Sequence, residues 1–275
     1  MSHKKPLKEL HEAVKYLQKH YKHTPQVGVV LGSGLGNFTE EIEIEKEIAY
    51  KDIPHFPVST VEGHKSKMIF GKLSGKRVVA MAGRFHFYEG YDVSDVVFPI
   101  RVMKLLGIET LLLSNAAGSV NPTYKVGDLM IINDHISMFT PNPLIGKNID
   151  ELGPRFPDMS EPYKQKLIRI AREIGARNNY DLKEGVYVAV TGPTFETKAE
   201  YKMILAMGAD VVGMSTVQEA IAATHMGLDV FAISVVTDIG IRDDHTIITH
   251  DEVLEAARNA EPKLAFIFKE LIAAI

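Results

Sequence analysis

The sequence predicts an α/β protein in which helices flank a central, mixed and largely parallel β-sheet. In the second half of the chain, short β-branched runs alternate with segments of helical period, a pattern typical of a parallel sheet covered by helices. In the first half, two apolar runs flank Ser74-Gly75, which predicts a hairpin and hence some antiparallel pairing. We expect the 275 residues to form a single domain over 1–275.

Each element follows from a local pattern. A helix is expected from Pro6 to about Tyr21, where apolar residues recur at helical spacing. The remaining first-half elements are a strand at 26–32, the hairpin at 67–83, a helix at 93–106 and strands at 110–115 and 129–136. The second half should contain strands at 185–192, 209–214 and 229–238, and helices at 161–174, 197–207, 216–226 and from 249 onward.

Local signals set the boundaries of the helices. Capping-box spacing marks three helix starts: Thr197 with Glu200, Ser215 with Gln218, and Thr249 with Glu252. Pro262 lies inside the last helical pattern, so we expect a kink or a break there. Residues 140–162, with five prolines and no apolar period, form a long irregular connection, which indicates either a functional loop or a linker.

Composition excludes several classes of function. The net charge is −4 and the 31 basic residues are scattered, which argues against extended contact with nucleic acid. The chain has no cysteine, hence no disulfide, thiolate chemistry or cysteine metal site. No apolar run approaches the roughly 18 residues of a membrane helix, and the first residues lack a secretion signal, so we expect a cytoplasmic protein that does not contact a membrane.

Common catalytic and binding motifs are also absent from the sequence. His20 and His23 have no evident third ligand, so no metal site is expected. A dinucleotide fingerprint needs a third glycine where Asn37 stands, and neither a Walker loop nor a G-x-S-x-G elbow occurs. Cofactor binding and serine hydrolase chemistry therefore have little support.

Polar groups follow four of the predicted strands, where ligands of open α/β sheets bind. Ser33 lies in the loop GSGLG, whose glycines let backbone amides approach an anion. Arg84 and His86 follow the hairpin, Asn115 ends another strand, and Ser215 is the predicted N-cap of a helix, where amides favour negative charge. Alone, each could be a turn, a surface pair or a cap, but together they suit one phosphate.

Longer segments indicate a family. They are GSGLG (32–36), VEGH (61–64), GRFHFYEGY (83–91), SNAAGSVNP (114–122), NPLIGKN (142–148), RFPDMSEPY (155–163), GPTFET (192–197) and GADVVGMSTVQEA (208–220). In this order they resemble the trimeric purine nucleoside phosphorylases, the branch that includes the mammalian enzyme, over nearly the whole chain. The resemblance implies a phosphorylase fold and phosphate-dependent cleavage of a purine nucleoside, inosine or guanosine above all, to free base and (deoxy)ribose 1-phosphate in purine salvage.

The resemblance also implies roles for individual residues. Phosphate, a co-substrate, would be held by Ser33, His64, Arg84, His86, Asn115, the Ala116 amide and Ser215. The nucleoside would contact Tyr88, Tyr187, Phe195, Glu196, Val212, Met214, Asp238 and His250, with Phe156 supplied by a neighbouring subunit of a homotrimer. His86, Glu196 and Asp238 would take part in catalysis, with no metal or organic cofactor.

Asp238 departs from the family pattern. The 6-oxopurine enzymes usually have an asparagine there that contacts O6 and N7 of the base, and a carboxylate would repel both O6 and the leaving purine anion. Asp238 could be protonated by burial, or it could accept a hydrogen bond from a 6-amino group, as in the related methylthioadenosine phosphorylases. We therefore expect an inosine and guanosine enzyme with broadened specificity, the alternative being a methylthioadenosine or broad 6-aminopurine phosphorylase. A non-catalytic nucleoside-binding protein is the competing class.

Overall fold

The computed structural model describes residues 7–58, 66–241 and 248–275. The strands are β1 (Val27–Val30), β2 (Glu43–Ala49), β3 (Lys67–Leu73), β4 (Lys76–Ala82), β5 (Thr110–Ser119), β6 (Leu129–Ile136), β7 (Leu182–Ala189), β8 (Val211–Gly213) and β9 (Asp229–Ile239). The helices are α1 (Leu7–His20), α2 (Val93–Val96), α3 (Phe98–Leu106), α4 (Gln165–Arg177), α5 (Lys198–Ala206), α6 (Val217–His225) and α7 (His250–Ala274).

These strands form one mixed sheet in the order β2-β3-β4-β1-β5-β8-β7-β6-β9. Because β5 also pairs with β9, the last five strands of this order close into a barrel. Within the described ranges, five of the nine strand pairings are parallel. The predicted mixed sheet and its Ser74-Gly75 hairpin are confirmed, and antiparallel pairing also occurs at β5–β8 and β6–β9.

The long strand β5 organises the site. On one edge it pairs with β9 along its whole length, from Thr110 to Ser119. On the other edge β1 covers only Thr110 to Leu113, and β8 covers only Gly118 and Ser119. Residues 114–117 thus lie between the ends of two strands, and their edge is open to a ligand. From the sequence this strand was predicted to end at Asn115, because the following Ala-Ala-Gly lacks the β-branched residues typical of strands.

Several predicted boundaries are wrong. β2 was missed because it is an edge strand in which five of seven residues are exposed, so it lacks a run of buried apolar residues. The helix predicted at 93–106 is two helices that meet at Val97, and Pro99 lies in the first turn of the second, where its missing N–H costs nothing. α4 begins at Gln165 rather than at residue 161.

The last helix is not broken at Pro262. α7 is continuous over 25 residues, and its apolar face, including Leu264 and Phe268, is buried against the rest of the core. Burial of this face outweighs the hydrogen bond that proline removes from a helix interior, about 3 kcal/mol. None of the described helices is long and apolar enough to cross a membrane.

Two of the three predicted caps are confirmed, namely the boxes of Thr197 with Glu200 and of Thr249 with Glu252. The third is displaced by one residue: Thr216, not Ser215, is the N-cap of α6, and its box partner is Glu219, not Gln218. In both alternatives a hydroxyl side chain stands three residues before a Glu or Gln that can accept the N-cap backbone N–H, so the sequence did not distinguish between them. The displacement leaves Ser215 without a capping role.

Candidate active site

A pocket opens at the uncovered stretch of β5. Its walls come from the loop after β1, the segment after β4, the middle of β5, the segments after β7 and β8, the end of β9 and the start of α7. The lining residues are Gly32, Ser33, Arg84, His86, Tyr88, Asn115, Ala116, Ala117, Gly118, Phe195, Glu196, Val212, Gly213, Met214, Ser215, Thr237, Asp238, His250 and Val253. Most of the residues predicted for the site therefore share one cavity, although they are spread over more than 200 positions of the sequence.

Two described residues that were predicted for the site do not line this pocket, and His64, also predicted, lies outside the described residues. Tyr187 lies one layer behind the wall, fully buried, and its hydroxyl accepts a hydrogen bond from the Ser215 backbone N–H at 3.3 Å. Phe156 is 86% exposed and sits apart from the pocket, with the Arg155 guanidinium 5.0 Å from the centre of its ring.

Arg84 is a fully buried cation whose partner is Glu219, on α6. Its Nε and Nη2 donate to the two oxygens of that carboxylate at 3.2 and 2.8 Å, and both side chains are at most 2% exposed. The third nitrogen, Nη1, donates to the Ser114 carbonyl at 2.6 Å and lies 3.4 Å from Ser215 Oγ. A bidentate pair of this kind fixes the plane of the guanidinium.

Ser215 is held at the pocket by a strained turn. Thr216 has φ 72° and ψ −48°, and the Val217 N–H donates to the Ser215 carbonyl at 2.7 Å, which together define a γ-turn with positive φ. This turn is rare for a residue with a branched side chain. The Asn115 Nδ2 donates to Thr216 Oγ1 at 2.9 Å, so β5 supports the turn from the other side.

His86 is held by a second buried carboxylate. Glu89 Oε1 lies 3.0 Å from His86 Nδ1 and accepts the His86 backbone N–H at 2.8 Å. Tyr88 stacks on the imidazole, with ring centres 4.7 Å apart. Burial lowers the pKa of His86, and the charge of Glu89 partly opposes that shift. The ring is therefore neutral near pH 7, and its orientation is set before any ligand binds.

The other end of the pocket carries two carboxyl groups. Glu196 follows β7, and burial raises its pKa, with a further increase from the negative charge of Asp238. Asp238 lies near the end of β9, and its Oδ1 is 3.0 Å from the Thr237 hydroxyl. A side chain at Gly118 would come within 2.7 Å of Asp238 Oδ2, so this glycine makes room for the carboxyl group. Phe195 presents an aromatic ring that is 41% exposed beside them.

Three residues that hold the polar side chains of the site were missed by the sequence reasoning: Glu89, Thr216 and Glu219. Glu219 lies 135 positions from Arg84, and nothing local signals that contact. A capping box read one residue later would have indicated Thr216 with Glu219. In the described part of the chain, no group of three or more His, Cys, Asp or Glu side chains could hold a metal ion.

Comparison with known proteins gives matches over most of the chain. Residues 26–273 match the family model described as the phosphorylase superfamily. The chain is 48% identical to purine nucleoside phosphorylase 1 of Geobacillus stearothermophilus over 96% of each chain, and 46% identical to purine nucleoside phosphorylase of Rattus norvegicus over 90% of this chain and 89% of the rat protein. The crystal structure of Schistosoma mansoni purine nucleoside phosphorylase in complex with adenosine superposes with a TM-score of 0.93, at 40% identity over 98% of both chains.

Proposed function

Because the chain belongs to the purine nucleoside phosphorylases of the phosphorylase superfamily, we propose that it cleaves 6-oxopurine nucleosides with inorganic phosphate and tolerates 6-aminopurines. Enzymes of this kind are pentosyltransferases. They transfer the sugar from the purine to phosphate, which gives the free base and a pentose 1-phosphate. The buried Arg84, held by Glu219 and directed at Ser215, is the observation that carries the proposal for this pocket.

The phosphate would bind at the Arg84 end. Arg84 would supply the charge, Ser215 and Ser33 hydroxyl groups, and Ala116, in the middle of β5, a backbone N–H. Asn115 lies beside this end, where its Nδ2 donates to Thr216 Oγ1; its Oδ1 only accepts hydrogen bonds and would contact phosphate only through a protonated phosphate oxygen. His64 is proposed to complete the set from residues 59–65, which the structure does not describe.

The ribose would lie between the phosphate and the base. Tyr88, Met214 and His250, which line the pocket, would contact it. Breaking the glycosidic bond leaves positive charge on the sugar and negative charge on the purine. The phosphate oxygens would stabilise the former while attacking the anomeric carbon, so that a C–O bond replaces the C–N bond and the electron pair leaves with the purine. The protein positions the reactants, and no covalent intermediate or cofactor is required.

The purine would stack on Phe195, with Glu196 accepting the N1 hydrogen of a 6-oxopurine. Asp238 suits O6 or N7 only as a neutral acid. The contacts of Thr237 are compatible with that state, since the Thr237 hydroxyl lies 3.3 Å from the Ala117 carbonyl and 3.0 Å from Asp238 Oδ1 but has a single proton to donate. If the hydroxyl donates to the carbonyl, a proton on Asp238 completes the second hydrogen bond. An ionised Asp238 would instead accept from a 6-amino group.

A four-substrate assay tests this proposal. Release of free base from inosine, guanosine, adenosine and methylthioadenosine is measured with and without phosphate. We expect phosphate-dependent release, with the highest kcat/KM for inosine and guanosine and measurable cleavage of adenosine. A preference for methylthioadenosine would establish the alternative specificity, and binding without release of base would establish a non-catalytic protein.

Several accompanying features are proposed with it. The chain would act as a homotrimer in which Phe156 reaches the pocket of a neighbouring subunit, which would account for its 86% exposure here. Other large apolar side chains of the same irregular connection or just before it, Met138 and Ile145, are also exposed. The cytoplasmic location and a single domain over 1–275 stay predictions from the sequence.

A further inference from the structure

Glu219 contacts both groups that would hold the phosphate. Its Oε1 accepts from Arg84 Nε at 3.2 Å, and its Oε2 accepts from Arg84 Nη2 at 2.8 Å and from the Thr216 backbone N–H at 3.0 Å. Both carboxylate oxygens are therefore occupied inside the protein. The side chain is buried and does not line the pocket.

The contact with Arg84 fixes the direction of the guanidinium. With Nε and Nη2 both held by one carboxylate, the plane of the fork is set, and Nη1 is the nitrogen left beside Ser215 Oγ. A buried arginine without such a partner could rotate about its long side chain. The bidentate contact removes that freedom before a ligand arrives.

The contact with Thr216 fixes the turn that carries Ser215. Thr216 is held at a positive φ that residues other than glycine seldom adopt, and such a conformation persists only where surrounding contacts impose it. Glu219 Oε2 holds the backbone N–H of Thr216, and Asn115 holds its hydroxyl. Together they maintain the turn.

The other capping boxes show that this is more than a helix cap. Glu200 and Glu252 also accept the N-cap backbone N–H of their helices, at 2.7 and 3.1 Å. Both of those side chains lie at exposed positions, and neither forms an ion pair with an arginine of the described residues. Glu219 performs the same capping contact while buried and paired with Arg84.

We infer that Glu219 is a positioning residue for phosphate, which acts through Arg84 and through the turn of Ser215 without touching the ligand. This inference rests on the proposed function, since it assumes that phosphate binds between those two groups. A carboxylate is required because three N–H donors converge on its two oxygens. A carboxamide of the same shape has one oxygen, and its NH₂ group would face a donor.

The test compares Glu219→Gln with wild type in steady-state kinetics, with phosphate and inosine varied separately. We expect the KM for phosphate to rise at least about tenfold, because a hydrogen bond between charged groups is lost, while the KM for inosine changes by less than about threefold. Glu200→Gln is the matched control, since it makes the same chemical change at the capping-box partner of another helix, α5, and lies outside this pocket. Its KM for phosphate should stay within about twofold of wild type.

A second variant separates geometry from charge. Glu219→Asp keeps the negative charge on a side chain one methylene shorter, so it cannot reach both contacts, and its KM for phosphate should fall between those of wild type and Glu219→Gln. It also serves if Glu219→Gln does not fold, because the buried Arg84 keeps a counter-ion. A wild-type KM for phosphate in a folded Glu219→Gln, or equal rises in both KM values, would overturn the inference. Failure of the wild-type enzyme to need phosphate would instead overturn the proposed function.

Discussion

The two ends of the pocket differ in how their charges are balanced. At the end where phosphate is proposed to bind, the phosphate end, Arg84 forms a buried ion pair with Glu219, and His86 contacts the carboxylate of Glu89. At the purine end, Glu196 and Asp238 are two acidic groups whose charges oppose each other. One end pairs unlike charges, and the other brings like charges together.

This difference has a consequence for binding. Groups held by buried ion pairs keep one geometry whether or not a ligand is present, which favours a ligand of fixed shape and charge such as phosphate. Two neighbouring acids instead repel each other when both are ionised, so one of them binds a proton more readily. A carboxyl group that gains a proton becomes a hydrogen-bond donor, and the pattern of donors and acceptors in the site changes with it. We infer that the phosphate end determines the reaction and that the purine end determines which base is accepted.

The largest effect should follow from removing the cation of the phosphate end. Arg84→Met leaves the Glu219 carboxylate buried without its counter-ion, so the free energy of unfolding should fall by about 3–5 kcal/mol, measured by urea denaturation. Activity should fall at least about a thousandfold, because the charge that stabilises the attacking phosphate is gone.

The double variant Arg84→Met/Glu219→Met is the control for this prediction. Two apolar side chains of similar volume should restore most of the lost stability, since no unpaired charge stays buried, while activity stays low. If Arg84→Met unfolds at the same urea concentration as wild type, the Arg84–Glu219 ion pair is not buried in the way described here.

The next effect concerns the choice of base at the purine end. Asp238→Asn replaces a carboxyl group by an amide that can donate to O6 or N7 without a proton from solvent. The ratio of kcat/KM for inosine to that for adenosine should rise by about tenfold or more, measured with both nucleosides at fixed phosphate.

Asp229→Asn provides the matched control for that substitution. It makes the same chemical change at the start of β9, about half exposed, at the far end of the strand from the pocket. Its inosine to adenosine ratio should equal that of wild type. An unchanged ratio in Asp238→Asn would show that the carboxyl group does not discriminate between the bases.

The order of the helices and strands along the chain was predictable, whereas the closure of the sheet into a barrel was not. Hydrophobic periodicity and β-branched runs predicted eight of the nine strands in the described residues, because buried strands have a local sequence signature. They did not predict β2, because its exposed edge position removes that signature. The closing of the barrel by β5 and β9 joins residues about 120 positions apart and leaves no mark on either segment.

The same distinction applies to the site. Arg84, which follows β4, was predictable because the rule that ligands bind at strand ends needs only the order of elements. The same rule selected Asn115, although β5 continues past it to Ser119. Glu219 was not, because its contact with Arg84 is made by two side chains on different elements and has no spacing rule. Ser215 was given the wrong structural role and yet lies in the predicted place, since a displacement of one residue does not move it out of the pocket.

A smaller effect should appear in the pH dependence of the purine end. Glu196 must be ionised to accept the N1 hydrogen of inosine, and its pKa is raised by burial and by Asp238. The acidic limb of the pH profile is the range in which kcat/KM for inosine falls as the pH decreases. This limb should therefore lie at a higher pH than an ordinary glutamate would give. Because kcat/KM reports the free enzyme, where the charge of Asp238 raises the pKa of Glu196, this acidic limb should move to lower pH in Asp238→Asn.

Glu196→Gln tests the assignment of that limb, since a side chain that does not titrate should leave kcat/KM for inosine low and independent of pH over the same range. A limb that persists in Glu196→Gln belongs to another group. A limb that moves to higher pH in Asp238→Asn contradicts the proposed repulsion between the two carboxyl groups.

The smallest effect is expected at Phe156, which belongs to neither end of this pocket as the single chain forms it. Its ring is 86% exposed, so Phe156→Ala should change the stability of an isolated chain by no more than about 0.5 kcal/mol. If a neighbouring subunit supplies this ring to the pocket, the KM for inosine should rise by about threefold to tenfold with little change in the KM for phosphate. Ile44→Ala, an exposed apolar residue on the edge strand β2, is the control and should change neither constant. Sedimentation of both variants reports the assembly, and a trimer with an unchanged KM for inosine would show that the purine end is complete within one chain.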